Sequence, residues 1–222
     1  MTGKEIEKHQ AAKVFHDHAE EYDHWFEESL VYEIELAALK SLQTEMEDPK
    51  IEIGVGPGRF ARDLGIAFGI DPAWALLTLA AKREITCCQA FGEHLPVKDR
   101  TIGTIYVLLT LCFVDDPQKI LRECSRTLKE EGCLIIGMIP PGGAWGRSLA
   151  AKKKAGHSFY KYARFITLET VKKWLAYVNM SIIEYRSTLY QAPGCVELNE
   201  APKDVLDGQS GFAVIVARKD HA

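Results

Sequence analysis

The sequence predicts an α/β protein built on a doubly wound, mostly parallel seven-stranded sheet. Three observations predict it. Short apolar runs alternate with helical patterns from residue 50 to residue 139, and strands alternating with helices imply parallel neighbours joined by crossovers. The run 102–108 is nearly all apolar, as a parallel strand covered on both faces is. Two adjacent apolar runs, 180–189 and 211–217, end the chain with no helical pattern between them, which predicts an antiparallel C-terminal strand.

The stretch around which the rest is organised is Glu52-Ile53-Gly54-Val55-Gly56-Pro57-Gly58-Arg59-Phe60. A strand (50–54) runs into three glycines at alternate positions, and a helix pattern (57–64) follows. Without Cβ atoms such a turn bends sharply and lets a ligand approach the backbone. The carboxyl end of a strand facing a helix N-terminus is also where open α/β sheets bind ligands. Asp71 follows a second apolar run (66–70) and is placed to accept hydrogen bonds from both hydroxyls of a ribose. These residues together predict a nucleoside-containing cofactor. Arg59 stands where the third glycine of a dinucleotide fingerprint would fall, and no G-K-[ST] follows, which excludes a P-loop.

Upstream, residues 4–26 read as a helix ending in the aromatic cluster Tyr22, Trp25 and Phe26, and residues 29–46 as a second, with Val31, Ile34, Ala38 and Leu42 on one face. The expected organisation is a single domain overall, in which residues 1–46 pack as helices and a lid on a core of 47–222. Downstream, Pro72 opens a helix over 72–83. A third strand spans 85–89. A helix with Ile120, Leu121, Cys124 and Leu128 inward is expected to stop at Gly132 as its C-cap, followed by a strand at 133–139. After the turn 140–143 come a basic helix (144–154), an aromatic stretch (157–165) and a helix capped by Thr167 with Val171, Trp174, Leu175 and Val178 on one face. The loop 190–210 joins the last two strands.

With 222 residues, 47% of them apolar, and a net charge of −4, the chain has the material for one substantial core and no bulk basic footprint for nucleic acid. Lys152-Lys153-Lys154 reads as a solvated helix face. Residues 1–22 lack the apolar region of a secretory signal, and the run 102–114 is shorter than the ~18 residues of a membrane span. Six cysteines form no C-x-x-C pair, and Cys112, Cys124 and Cys133 lie within apolar patterns, as reduced core cysteines do. The expectation is a cytoplasmic protein without a metal site, with no nucleic-acid or membrane partner. No feature sets an oligomeric state.

Glu52-x-Gly54-x-Gly56-x-Gly58, Glu93-x-Leu95-Pro96, the run Cys112 to Pro117, Leu121-Arg122-Glu123 and Thr127-Leu128-Lys129-x-x-Gly132 together resemble the type 11 family of class I S-adenosylmethionine-dependent methyltransferases. The likeness covers about residues 50–140. The segment from Val14 to Phe26 is similar to the F-D-x-x-A-x-x-Y-D-x-W opening of small-molecule methyltransferases. This resemblance implies a Rossmann-like methyltransferase fold with an N-terminal helical lid. It also implies S-adenosylmethionine as cofactor, S-adenosylhomocysteine as product, and methyl transfer to a small-molecule acceptor by in-line displacement.

Position by position, the resemblance implies that Gly54, Gly56 and Gly58 line the methionine portion, with Glu52 beneath its amino group. Asp71 would hold the ribose and Pro72 lie beside the adenine, with Phe91, Gly92 and Glu93 closing the adenine pocket. Thr110 and Leu111 would face the sulfonium, and Tyr22 would reach the cofactor from the lid. Phe91 stands where the family often has an acid, as does Gly103 at the start of the fourth strand. His94, Tyr160, Tyr162 and Arg164 fall in segments that cover the strand tips and are candidates for acceptor contact. His157 is the candidate base, because imidazole titrates near neutral pH. The alternatives are a protein that binds S-adenosylmethionine or S-adenosylhomocysteine without transferase activity, and an NAD(P)-dependent oxidoreductase, which Arg59 and the terminal strand pair disfavour.

Overall fold

In the computed structural model, which describes residues 9–220, the alternating runs become β1 (Lys50–Ile53), β2 (Phe68–Asp71), β3 (Thr86–Gln89), β4 (Ile102–Leu108) and β5 (Leu128–Met138), followed by β6 (Met180–Thr188) and β7 (Phe212–Lys219). They form one sheet in the order β3-β2-β1-β4-β5-β7-β6. The first five are parallel, and β7 runs antiparallel to both β5 and β6. All seven residues of β4 are buried, as its nearly all-apolar run requires.

Alternation along the strands divides the core in two. Ile105, Val107, Leu134 and Ile136 face one side, where they meet α6 (Pro117–Thr127) and α8 (Leu168–Tyr177). Tyr106, Leu108, Ile135 and Val214 face the other, against α3 (Leu30–Lys40), α4 (Arg59–Leu64) and α5 (Trp74–Ala81). Above the carboxyl ends of the strands lie α1 (Gln10–Asp17), α2 (Ala19–His24), α7 (Ala144–Lys154) and a 3₁₀ turn (Tyr160–Tyr162). Thr167 caps α8 as expected, its hydroxyl accepting from the Thr170 N–H. Among the described residues no helix is long and apolar enough to cross a membrane.

Four boundaries differ from expectation. The expected helix 4–26 breaks at His18 (φ −122°, ψ 34°) into α1 and α2, and its residues 4–8 lie outside the described residues. The second helix stops at Lys40 instead of 46, because the Glu184 carboxylate on β6 captures the backbone N–H groups of Gln43 and Thr44, both at 2.8 Å. Pro72 does not open a helix. The Asp71 carboxylate accepts the Ala73 N–H at 2.8 Å, Ala73 stays extended, and α5 begins at Trp74.

Gly132 is not a C-cap. The helix ends at Thr127, Leu128 is already extended (ψ 140°), and Leu128 pairs with Ile102 at the start of β5. A register shift between Ile102 and Thr104 brings two backbones together, and a Cβ on Gly132 would sit 2.8 Å from the Gly103 carbonyl oxygen. Gly103 answers to the same crowding, since a Cβ there would meet the Glu47 carbonyl oxygen at 2.5 Å. The chain entering β1 therefore leaves no room for the acid that the family often carries at this position.

Candidate active site

The glycine turn is tied to the neighbouring strand tip before any ligand is considered. The Gly54 N–H donates to the Ile70 carbonyl at 2.7 Å, and the Gly56 N–H donates to Asp71 Oδ2 at 3.0 Å. Asp71 Oδ1 takes the Ala73 N–H, so one carboxylate joins the ends of β1 and β2. Burial pushes the Asp71 pKa up to about 6, against the opposing pull of these two amides. Gly56 has φ +53°, and a Cβ there would meet only the Tyr22 ring, at 3.7 Å. The turn thus presents bare backbone to an opening roofed by Tyr22.

That opening belongs to a cavity of about 820 Å³ lined by Gly54, Gly56, Asp71, Pro72, Phe91, Gly92, Glu93 and Thr110 from the sheet side, and by Phe15 and Tyr22 from the helices above. His9 covers Phe91, the rings 4.1 Å apart. Gly58 departs from expectation: it lines no part of this space. A Cβ on it would press on Ala80 at 2.9 Å, so its role is close packing of the turn against α5.

Glu52 lies beneath the turn, bordering a smaller recess with Gly54, Gly56 and Tyr22. It is 2% exposed, and its Oε2 has no hydrogen-bond partner among the described residues. Burial first, then the charge of Asp71, holds its pKa well above the ordinary carboxylate range. An orphaned acidic oxygen under bare backbone is the arrangement a cationic amino group would satisfy. Together with the open turn and Asp71, it fits an amino-acid-bearing nucleoside such as S-adenosylmethionine.

A second cavity, of about 1380 Å³, lies under α2, α3 and α7. Tyr160 and Arg164, both candidates for acceptor contact, line it, as does Leu111. Burial pushes the Tyr160 phenol up from its ordinary value. The two cavities share Phe15, Tyr22, Leu109, Thr110 and Phe113. Leu109 takes φ +53°, a costly conformation for a γ-branched residue. Its N–H is anchored to the Gly137 carbonyl at 2.8 Å, and the next residue, Thr110, stands on the boundary of both spaces.

Three candidates lie elsewhere. His157 lines neither cavity; its Nδ1 accepts the Phe159 N–H at 3.4 Å and its ring stands 5.0 Å from that of Tyr160. His94 is exposed and bonded to Lys119. Tyr162 points its hydroxyl to Gln10, at 3.3 Å.

Conversely, the pattern reading missed two groups. Arg59, noted only as a missing glycine, sends Nε to Asp23 Oδ1 at 2.7 Å, and Arg83 reaches the same carboxylate at 2.8 Å. Burial would raise the Asp23 pKa, yet the two guanidinium hydrogen bonds hold it below the ordinary range. The other missed group is Glu35, which lines the second cavity. Its signal was present, since it sits four residues after Val31 and three before Ala38, inside the apolar stripe of α3.

Comparison with known proteins follows the same lines. A family model described as a methyltransferase domain matches residues 51–136. An uncharacterized protein of Mycobacterium tuberculosis is 38% identical over 200 residues, 88% of this chain and 70% of that protein. One of Methanocaldococcus jannaschii is 35% identical over 210 residues, 93% of this chain and 98% of that protein. A crystal structure from Thermotoga maritima, described as an S-adenosylmethionine-dependent methyltransferase and possible histamine N-methyltransferase, superposes with a TM-score of 0.88 at 33% identity. It covers 95% of this chain and all of that one (100%). By its sheet order, its glycine turn and these relatives, the chain belongs to the type 11 family of class I S-adenosylmethionine-dependent methyltransferases.

Proposed function

We propose that the protein is an enzyme that methylates a small-molecule acceptor, with S-adenosylmethionine in the first cavity and the acceptor in the second. The observation that carries this reading is the shared boundary at Leu109, Thr110 and Phe113, where the space over the glycine turn meets a larger, mainly apolar one rich in aromatic rings. When bound, the cofactor would supply a sulfonium methyl group as the electrophile, with a neutral thioether as the leaving group.

What the protein contributes is alignment and exclusion of water, which together supply much of the rate in such displacements. Glu52 Oε2 is placed to take the cofactor's amino group. Asp71 keeps a second lone pair on each oxygen for the ribose hydroxyls, and Pro72 and Phe91 offer apolar surfaces for the adenine. Phe91 can only pack there, so adenine recognition rests on shape. Phe15 and Tyr22 form the cover, and Thr110 stands where the two ligands would meet. Among the residues proposed for acceptor contact, Tyr160 and Arg164 border the second cavity.

Two measurements test this. Calorimetry with S-adenosylhomocysteine on Asp71→Ala is expected to show a loss of about 2–3 kcal/mol, the range for hydrogen bonds to a charged group; unchanged affinity removes the ribose assignment. Incubation with methyl-labelled S-adenosylmethionine and a dialysable extract is expected to label a small product. Label confined to retained macromolecules sinks the small-molecule reading.

A further inference from the structure

The second cavity holds one acid among its described lining residues. Glu35, on α3, is 5% exposed and borders the space. No described residue donates a hydrogen bond to either carboxyl oxygen, and no described cation pairs with it. Burial, with nothing opposing it, pushes its pKa up to about 8.

The groups that face Glu35 are Tyr22 from α2 and Tyr160 from the 3₁₀ turn, both of which sense its charge. Tyr32, Cys112, Lys152 and Arg164 border the same space. Neither cation reaches it. Arg164 is exposed and donates to the Asp115 carbonyl at 2.6 Å, and Lys152 is exposed with its ammonium 5.7 Å from the Tyr160 ring centre. Trp25 and Phe159 complete an aromatic wall, their rings 4.8 Å apart.

An isolated buried carboxyl is costly unless a ligand satisfies it. Aromatic faces attract a cation brought among them, an anionic ligand would hold Glu35 neutral and offer it no ion pair, and a purely apolar one would leave its oxygens unpaired. Resting on the methyltransferase reading of this site, we propose that the acceptor is a basic amine whose nitrogen Glu35 holds, with its apolar body among Tyr22, Trp25, Phe159 and Tyr160. Glu35, neutral in the empty cavity at about pH 7, gives its proton to water as the amine enters as an ammonium and pairs with the carboxylate so formed. One N–H proton passes to a carboxyl oxygen, leaving a neutral carboxylic acid and an amine nitrogen with a free lone pair. The proton later leaves Glu35 for water.

Calorimetry on the protein saturated with S-adenosylhomocysteine tests this, with 2-phenylethylamine, 4-ethylphenol and phenylacetate as probes. The amine is expected to bind best, and Glu35→Gln to weaken it at least ~10-fold while S-adenosylhomocysteine affinity stays at the wild-type value, which also shows that the variant is folded. Equal amine affinity in Glu35→Gln, or tighter binding of the phenol or the carboxylate, overturns the amine assignment and leaves the methyltransferase reading standing. Failure of the wild-type protein to bind S-adenosylhomocysteine overturns both.

Discussion

The two cavities are made of opposite materials. The floor of the first is backbone: Gly54 and Gly56 present main chain, and Asp71 fastens that main chain through the Gly56 and Ala73 amides. The wall of the second is side chain, drawn from α2, α3, α7, the exit of β4 and residues 159–166. A backbone floor tolerates few residue types, because any Cβ either fills the ligand's place or meets a neighbour. A side-chain wall can be rebuilt one residue at a time without disturbing the sheet. Under the proposed assignment, the difference would let the acceptor change while the cofactor site stays the same.

The strongest way to break that contrast is Gly56→Val. A β-branched residue at φ +53° is strained, and its side chain would enter the space under Tyr22. Binding of S-adenosylhomocysteine is expected to weaken by ~3 kcal/mol or more, at least about a hundredfold, as read by calorimetry. Wild-type affinity would mean that the cofactor does not lie over this turn.

In the second cavity the expected sign is reversed, because Glu35→Gln should stabilise the fold. The Glu35 pKa rises from 4.5 to about 8 on folding. Its stabilising contribution is therefore complete below pH 4.5 and is lost as pH rises through about 8. Relative to Glu35→Gln, the wild type is expected to lose about 3 kcal/mol by pH 7. Melting temperatures of both proteins between about pH 4 and about pH 9 read this directly. A gap that does not change with pH would show that the carboxyl is satisfied in the fold.

The smallest effect sharpens the boundary between the cavities. Asp23 bridges Arg59, at the start of α4, and Arg83, just past α5, so it fastens α2 over the shared wall. Asp23→Asn is expected to cost α2 about 1–2 kcal/mol of local stability, seen as faster hydrogen exchange across 19–26. In the wild-type protein, S-adenosylhomocysteine is expected to slow exchange across 10–26, the behaviour of a lid. Equal exchange with and without ligand would make α1 and α2 permanent packing, and Tyr22 a wall residue only.

Much of this was legible before the fold was known, because it is local. The alternating runs, the nearly all-apolar β4, the Thr167 cap and the missing helix before β7 follow from period and turn chemistry within a few residues. The glycine turn and Asp71 were legible for the same reason, since strand tips one crossover apart are brought side by side by the βαβ unit itself. Errors arose where a distant backbone intervenes. Gly132 has a helix-stop spacing but answers to the bulge against Gly103, and the second helix ends early because Glu184 on β6 takes the amides at Gln43 and Thr44.

By itself, then, the sequence determined the parallel sheet, its antiparallel last strand, the glycine turn that floors the first cavity and the family. Each of these is carried by contiguous residues whose geometry their neighbours constrain. Only the tertiary structure decided which side chains share the second cavity: that His157 stands behind Tyr160, that His94 and Tyr162 lie outside, that Arg59 reaches back to Asp23, and that Glu35 is left without a partner among the described residues. The physical reason is that a wall assembled from segments far apart in the chain is set by how the helices pack over the strand tips. Residue spacing carries no record of that packing.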